Sequence, residues 1–326
     1  MDIRKQKILV TGGAGFLGTY VVNKLLQEGV KKENIFIPRS KEFDLRKEQV
    51  CRKLTKNVDV VIHLAGNVGG IGKNNKYPAT LFHDNMLMGT HLIHAAMRAK
   101  VKKIVILGTI CAYPKYAPVP FHEESLWEGY PEETNAPYGL AKKMLLVASQ
   151  AYRQEFGLNS IYLLPVNLYG PGDNFDPESS HVIPALIKKI HDAKLTNKKS
   201  IEVWGDGTPT REFIYVEDAA RAIVLATKNY EKADPVNLGS GQEISIKDLV
   251  TLITKLMHYN GEIIWDTTKP NGQPRRLLDT SRAEKEFNFI AKTPLEIGLK
   301  RTIIWYNEFL NKAHGKNTQR DRKKTL

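Results

Sequence analysis

The run Lys7-Ile8-Leu9-Val10 meets Thr11-Gly12-Gly13-Ala14-Gly15-Phe16-Leu17-Gly18, and from Phe16 to Leu26 apolar residues recur at helical spacing. A strand, a turn of spaced glycines and an amphipathic helix form the first half of a β-α-β unit. Gly12, Gly15 and Gly18 stand three residues apart, and small residues there let backbone approach a pyrophosphate at the positive end of a helix. This feature commits the N-terminal half to a parallel sheet that offers a nucleotide a seat at its first turn.

The rest of the chain repeats the alternation. Buried strands are expected at Asn34 to Ile37, Val58 to Leu64, Lys103 to Leu107 and Ser160 to Pro165, with helical patterns between them. The predicted fold is therefore α/β, a Rossmann-type doubly wound parallel sheet. After Gly170 the elements shorten, and Phe213 to Lys228 and Pro235 to Leu238 read as a return to the core. Residues 1–170 with about 213–238 make the nucleotide-binding domain, and about 171–212 with 239–311 a smaller α/β substrate-binding lobe.

The formal charge of +13 raises a nucleic-acid reading, because a basic surface attracts polyanions without a specific site. In 312–326, however, Lys312, Lys316, Arg320, Arg322, Lys323 and Lys324 against Asp321 supply +5 of it. Without apolar periodicity that segment reads as a disordered tail. The remainder suits an enzyme whose cofactor and substrate carry phosphates, with no specific nucleic acid as partner. The apolar run around Val58 to Ala65 is far too short for a membrane span, and Met1-Asp2-Ile3-Arg4 leads directly into a strand. Two cysteines, Cys51 and Cys111, make neither a disulfide framework nor a metal cage. A reducing, cytoplasmic setting and no metal are expected.

The end of the second strand selects the cofactor. An acidic residue there binds a ribose 2′-hydroxyl, but this chain has Arg39, Ser40 and Lys41, which suit a 2′-phosphate and favour NADP(H) over NAD. Asp44 and Leu45 follow where an adenine-facing pair would sit, and Leu64, Ala65 and Gly66 end the next strand close to the cofactor. Further on, Tyr138 and Lys142 are four residues apart, on one face of a helix, so an ammonium can stand near a phenol that otherwise holds its proton at neutral pH.

The glycine run, His63-Leu64-Ala65-Gly66, Asn85 to Thr90 and Tyr138-x-x-x-Lys142 resemble the extended short-chain dehydrogenase/reductase family of nucleotide-sugar enzymes. The resemblance narrows through Cys111 to Lys115, Asn167 to Pro171, Ser180 to Leu186, Trp204 to Pro209, Arg211 to Phe213 and Pro274 to Asp279, which are similar to the GDP-L-fucose synthase family from residue 7 to about 310. It implies a GDP-sugar substrate, GDP-4-keto-6-deoxy-D-mannose, epimerised at C3 and C5 and reduced at C4 with NADPH. It implies Thr109 and Tyr138 as the carbonyl-polarising pair with Lys142 beside them, Cys111 as epimerisation base and His181 as acid. Phe16, Leu17, Pro165, Asn167, Leu168 and His181 join the cofactor site. Asn167, Lys189, Trp204, Arg211 and Arg276 face the nucleotide sugar, and a homodimer forms through helices near 80–98 and 137–156.

The residues are chemically suited to this. Epimerisation beside a ketone needs a base and an acid on opposite faces, and a thiol and an imidazole exchange protons near neutral pH. If Thr109 to Cys111 is extended, alternation points both side chains to one side. A lone cysteine is more often a small buried hydrophobe, and a histidine ahead of Val182-Ile183-Pro184 could instead cap a helix. The alternatives are reduction of another GDP-keto sugar, such as a heptose derivative, and an NAD-dependent UDP-sugar epimerase, which the basic residues after Ile37 disfavour.

Overall fold

Strand β1 (Ile8–Thr11) is buried along its whole length, as a central parallel strand covered on both faces must be. The chain then forms α1 (Phe16–Gln27), β2 (Ile35–Phe36), α2 (Glu48–Leu54), β3 (Val60–His63), α3 (Ile71–Lys76), α4 (Pro78–Arg98), β4 (Lys103–Leu107), α5 (Ala136–Phe156) and β5 (Ser160–Pro165). It continues with β6 (Asn167–Tyr169), α6 (Val182–Leu195), β7 (Ser200–Trp204), β8 (Thr210–Tyr215), α7 (Val216–Asn229) and β9 (Val236–Leu238). Last come β10 (Glu243–Ser245), α8 (Ile246–Leu256), β11 (Glu262–Asp266), α9 (Ser281–Phe287) and α10 (Leu295–Arg322). This computed structural model describes residues 1–322, with side chains through residue 312.

The main sheet has the order β2-β1-β3-β4-β5-β9, and every pairing in it is parallel. The expected Rossmann-type sheet is therefore present. From β1 the chain steps outward to β2 and then crosses back to β3, so the topological switch lies between β1 and β3, where open α/β sheets place their ligands. The long helices α4 and α5 pack on each other over one face, and α1 packs with α7 on the other. Pro78 and Pro137 open α4 and α5 at positions that need no N–H donor, and Gly157, in the left-handed region at φ 69°, ends α5.

Two smaller sheets, β10-β8-β6 and β11-β7, lie beyond the carboxyl ends of the large one. A second apolar cluster, including Ile183, Ile187, Leu249, Ile253 and Leu299, holds α6, α8 and α10 to them.

Two expectations change. The second strand is only Ile35–Phe36, because a 3-10 turn at Lys32–Asn34 precedes it and Phe36 is exposed at the sheet edge. Residues 213–215 do not rejoin the large sheet, since β8 pairs with β6 and β10, and only α7 and β9 return. Helix α10 continues into the basic segment as far as Arg322. Residues 323–326 of that tail lie outside the described residues. Among the described residues no helix is long and apolar enough to cross a membrane, and no group of three acidic, His or Cys side chains is placed to hold a metal.

Candidate active site

At the switch point the backbone of the glycine turn lies directly against the end of β3. Gly12 has φ 73°, and a Cβ there would stand 2.7 Å from the Ala65 nitrogen. A Cβ on Gly18 would stand 2.0 Å from the Gly12 carbonyl oxygen. Neither obstacle is a side chain that could swing aside. Gly15 precedes α1, and no side chain caps the first turn of that helix, so its N–H groups remain available to a phosphate. Phe16 and Leu17 follow at the start of α1, while Leu64, Ala65 and Gly66 line the opposite lip. This cradle fits a dinucleotide.

Arg39, Ser40 and Lys41 are exposed in the turn after β2, free to meet an added phosphate. Asp44 is paired with Arg46, which donates to it at 2.9 Å and, with its backbone N–H, holds its pKa below the usual carboxylate range. Leu45 is buried, and its carbonyl accepts from Cys51 at 3.3 Å, which accounts for Cys51 as packing.

The candidate catalytic set gathers at the ends of β4 and α5. Tyr138 and Lys142 share a face of α5, and Lys142 is buried with its pKa lowered to about 8 by desolvation. Its ammonium is 3.8 Å from the place a Cβ on Gly66 would occupy, so it reaches toward the cofactor lip. Tyr138 has its pKa raised, first by burial and then by Cys111, with a hydrogen bond to Thr109 as partial offset. The phenol therefore keeps its proton and is poised to donate it. Gly139 makes this contact possible, because a Cβ there would lie 2.2 Å from the Cys111 carbonyl oxygen.

Thr109 to Cys111 are not an extended run. Ile110–Ala112 form a 3-10 turn, and the Thr109 hydroxyl accepts from the Cys111 N–H at 3.2 Å. This side-chain cap ends the strand, so the thiol is placed by the turn rather than by strand alternation. Its Sγ meets Arg276, whose Nη1 donates to it at 3.6 Å.

His181 occupies the N-cap position of α6 but makes no capping hydrogen bond with its side chain. The residue is exposed in the cleft, and desolvation followed by the positive charge of Arg276 lowers its pKa. The ring is thus available for chemistry, and the same cation adjoins both candidate acid–base partners, Cys111 and His181.

Behind them Asn167 donates from Nδ2 to the Glu212 carbonyl at 3.0 Å, tying β6 to β8; Pro165 ends β5 and Leu168 lies in β6. Arg211 donates to the carbonyls of Thr210 and Gln273 at 2.7 and 2.6 Å and of Asn271 at 3.0 Å. Desolvation and then Arg276 lower its pKa to about 9, as expected of a cation among neutral partners. Lys189 donates to the Glu202 carbonyl at 2.9 Å, and the exposed ring of Trp204 lies 5.6 Å from the Lys269 ammonium.

Two residues carry weight that sequence spacing does not signal. Glu212, fully buried, accepts from the N–H groups of Gly241 and Leu278 at 2.6 and 2.8 Å, and burial raises its pKa to about 7. Gln273 lies buried between the two arginines, and only its nearness to Pro274-Arg275-Arg276 could have hinted at it.

A dinucleotide cradle beside a Thr–Tyr–Lys set, faced by a cationic cleft, defines a short-chain dehydrogenase/reductase acting on nucleotide sugars. The chain belongs to the NAD dependent epimerase/dehydratase family, whose model matches residues 8–239, and within it to the GDP-L-fucose synthases. It is 40% identical over 308 residues to GDP-L-fucose synthase 1 of Arabidopsis thaliana, covering 94% of each chain. Its fold matches a GDP-6-OMe-4-keto-L-xylo-heptose reductase from C. jejuni with a TM-score of 0.87 and 28% identity over 93% of this chain and 98% of that one. It also matches a GDP-L-fucose synthetase from Naegleria fowleri bound to NADP, with a TM-score of 0.84 and 29% identity over 94% and 96% of the two chains.

Proposed function

We propose that the protein converts GDP-4-keto-6-deoxy-D-mannose to GDP-L-fucose, epimerising C3 and C5 and reducing the C4 ketone at the expense of NADPH. The observation that carries this is the meeting of Cys111 with the Thr109–Tyr138 pair in one cleft: reduction alone needs no thiol there. Thr109 and Tyr138 polarise the C4 oxygen, which makes the neighbouring C3 and C5 protons acidic. Cys111 removes a proton from one face, and His181 returns one to the other. NADPH supplies the hydride for the ketone, and Tyr138 gives its proton to the C4 oxygen.

Arg39, Ser40 and Lys41 receive the 2′-phosphate, and Gly12, Gly15 and Gly18 admit the pyrophosphate. Arg211, Arg276 and Lys189 supply positive charge for the GDP diphosphate, with Trp204 and Asn167 as further walls. A homodimer through α4 and α5 accords with the exposed Phe82 and Val147 on these helices. Both cysteines are free, which suits a reducing cytoplasm. The likeness to a heptose reductase supports a second reading, C4 reduction of another GDP-keto sugar. Mixing the protein with NADPH and GDP-4-keto-6-deoxy-D-mannose and identifying the product by NMR separates them: GDP-L-fucose is expected, and a reduced but unepimerised sugar selects the second reading.

A further inference from the structure

Strand β5 sends Tyr162 into the layer between the large sheet and α5. The residue is almost wholly buried, and its hydroxyl donates to the backbone carbonyl of Lys142 at 2.6 Å. A buried tyrosine hydroxyl needs a partner, and a helical carbonyl has a second lone pair to offer. The ring lies along the chain at Gly108, the residue before Thr109: a Cβ on Gly108 would stand 2.5 Å from Cε1 and 2.6 Å from both Cζ and Oη. Backbone pairing holds the ring at that height, with Ile106 opposite Tyr162 and the Gly108 N–H donating to the Leu163 carbonyl at 2.7 Å. Burial first, and then the nearby Tyr138 phenol, push the Tyr162 pKa well above its usual value, so the hydroxyl stays a donor. Helix α5 therefore meets the end of β4 directly where Gly139 admits the Cys111 carbonyl, and through Tyr162 three residues later.

We propose that Tyr162 is a positioning residue for ketone reduction: its ring spaces α5 from the end of β4, and its hydroxyl latches the Lys142 turn at that spacing. Thr109 comes from the end of β4, whereas Tyr138 and Lys142 come from α5, so their alignment depends on how the two elements are held together. The Thr109–Tyr138 hydrogen bond spans that joint. A proton donor works only within hydrogen-bond reach of the oxygen it serves, and a misplacement of about 1 Å can lower a rate by about 10²-fold. Tyr162 sits behind these residues and acts through them. The glycine cradle and the cationic cleft lie outside its contacts, so the affinities for cofactor and sugar are set elsewhere.

The inference rests on Thr109, Tyr138 and Lys142 being the reducing set, and its test separates the two claims. Tyr162→Phe keeps the ring and removes only the latch. With NADPH and GDP-4-keto-6-deoxy-D-mannose, its kcat for NADPH oxidation should fall about tenfold, while KM for the sugar and the NADPH Kd from fluorescence titration stay within about twofold. The isotope effect on kcat from NADPH deuterated at the transferred position should rise, because hydride transfer becomes more fully rate-limiting. A merely structural role would lower Tm and leave kcat per folded molecule and the isotope effect as they are. Gly108→Ala presses a methyl against the ring and should lower kcat likewise, yet add no further loss in a Tyr162→Leu background, where the ring is gone. Additive losses in that pair, or an unaltered kcat and isotope effect in Tyr162→Phe, overturn the proposal. Full reduction by Tyr138→Phe would instead overturn the reducing set on which it rests.

Discussion

The two ends of the cleft are built differently. The cofactor end is the work of one continuous segment, residues 8–18, in which strand, turn and helix follow within a few positions, and backbone approach dictates glycine. The sugar-facing end converges from Thr109 and Cys111, Tyr138, His181, Arg211, Gln273 and Arg276, which lie on the sheet end, three helices or strands and a late loop. The first is fixed by local sterics, and the second by long-range hydrogen bonds. A single substitution should therefore disable the first outright, whereas the second should lose its functions one at a time.

The largest effect is expected at Gly18. An alanine methyl would meet the Gly12 carbonyl oxygen, 2.0 Å from its ideal position, so Gly18→Ala should abolish NADPH binding as read by nucleotide fluorescence titration. Near-normal affinity would show that the turn yields more easily than its backbone contacts imply.

At the other end, Tyr138→Phe should lower ketone reduction by about 10²–10⁴-fold, the usual worth of a proton-transferring group, with NADPH binding retained. Cys111→Ser should slow deuterium uptake at C3 and C5 more than hydride transfer to an already epimerised ketone. Equal loss of both steps in Cys111→Ser would merge functions that the geometry separates.

Glu212 offers a smaller, structural test. Its carboxylate accepts two backbone N–H groups, from Gly241 and Leu278, so an amide would turn one acceptor into a donor facing a donor. Glu212→Gln should cost about 1–3 kcal/mol in denaturant unfolding, the range for leaving a buried polar group unsatisfied.

The last effect concerns pH at the cofactor end. His63 is buried beside Thr11, with Nδ1 2.8 Å from its Oγ1, and desolvation followed by Lys142 lowers its pKa to about 3. The unfolded chain protonates this ring near 6.5, where the folded chain does not. Its contribution is therefore present above pH 6.5 and is lost as pH falls toward 3, by at most about 1.4 kcal/mol per unit. His63→Gln should flatten the fall in stability between pH 6.5 and 4.5, and identical slopes would mean that the ring charges in the folded state.

What was legible in the sequence follows the same division. The glycine turn, β4, β5 and the Tyr138–Lys142 pair could be read because periodicity and short spacing encode them. The placement of β8 in a separate sheet could not, since a short apolar run does not name its partner strand. The turn at Ile110–Ala112 was missed because a side-chain cap from Thr109 overrides the extended pattern. Gln273 left no periodic trace at all: its importance arises only when Pro114, Arg211 and Arg276 meet around it.

The central claim is that one cleft performs proton exchange at two carbons and hydride delivery at a third. Running the complete reaction in D₂O with NADPH and GDP-4-keto-6-deoxy-D-mannose, and reading the product sugar by proton NMR, tests it directly. The account predicts deuterium at C3 and C5 and protium at C4. Protium retained at C3 and C5 in a reduced product would contradict it.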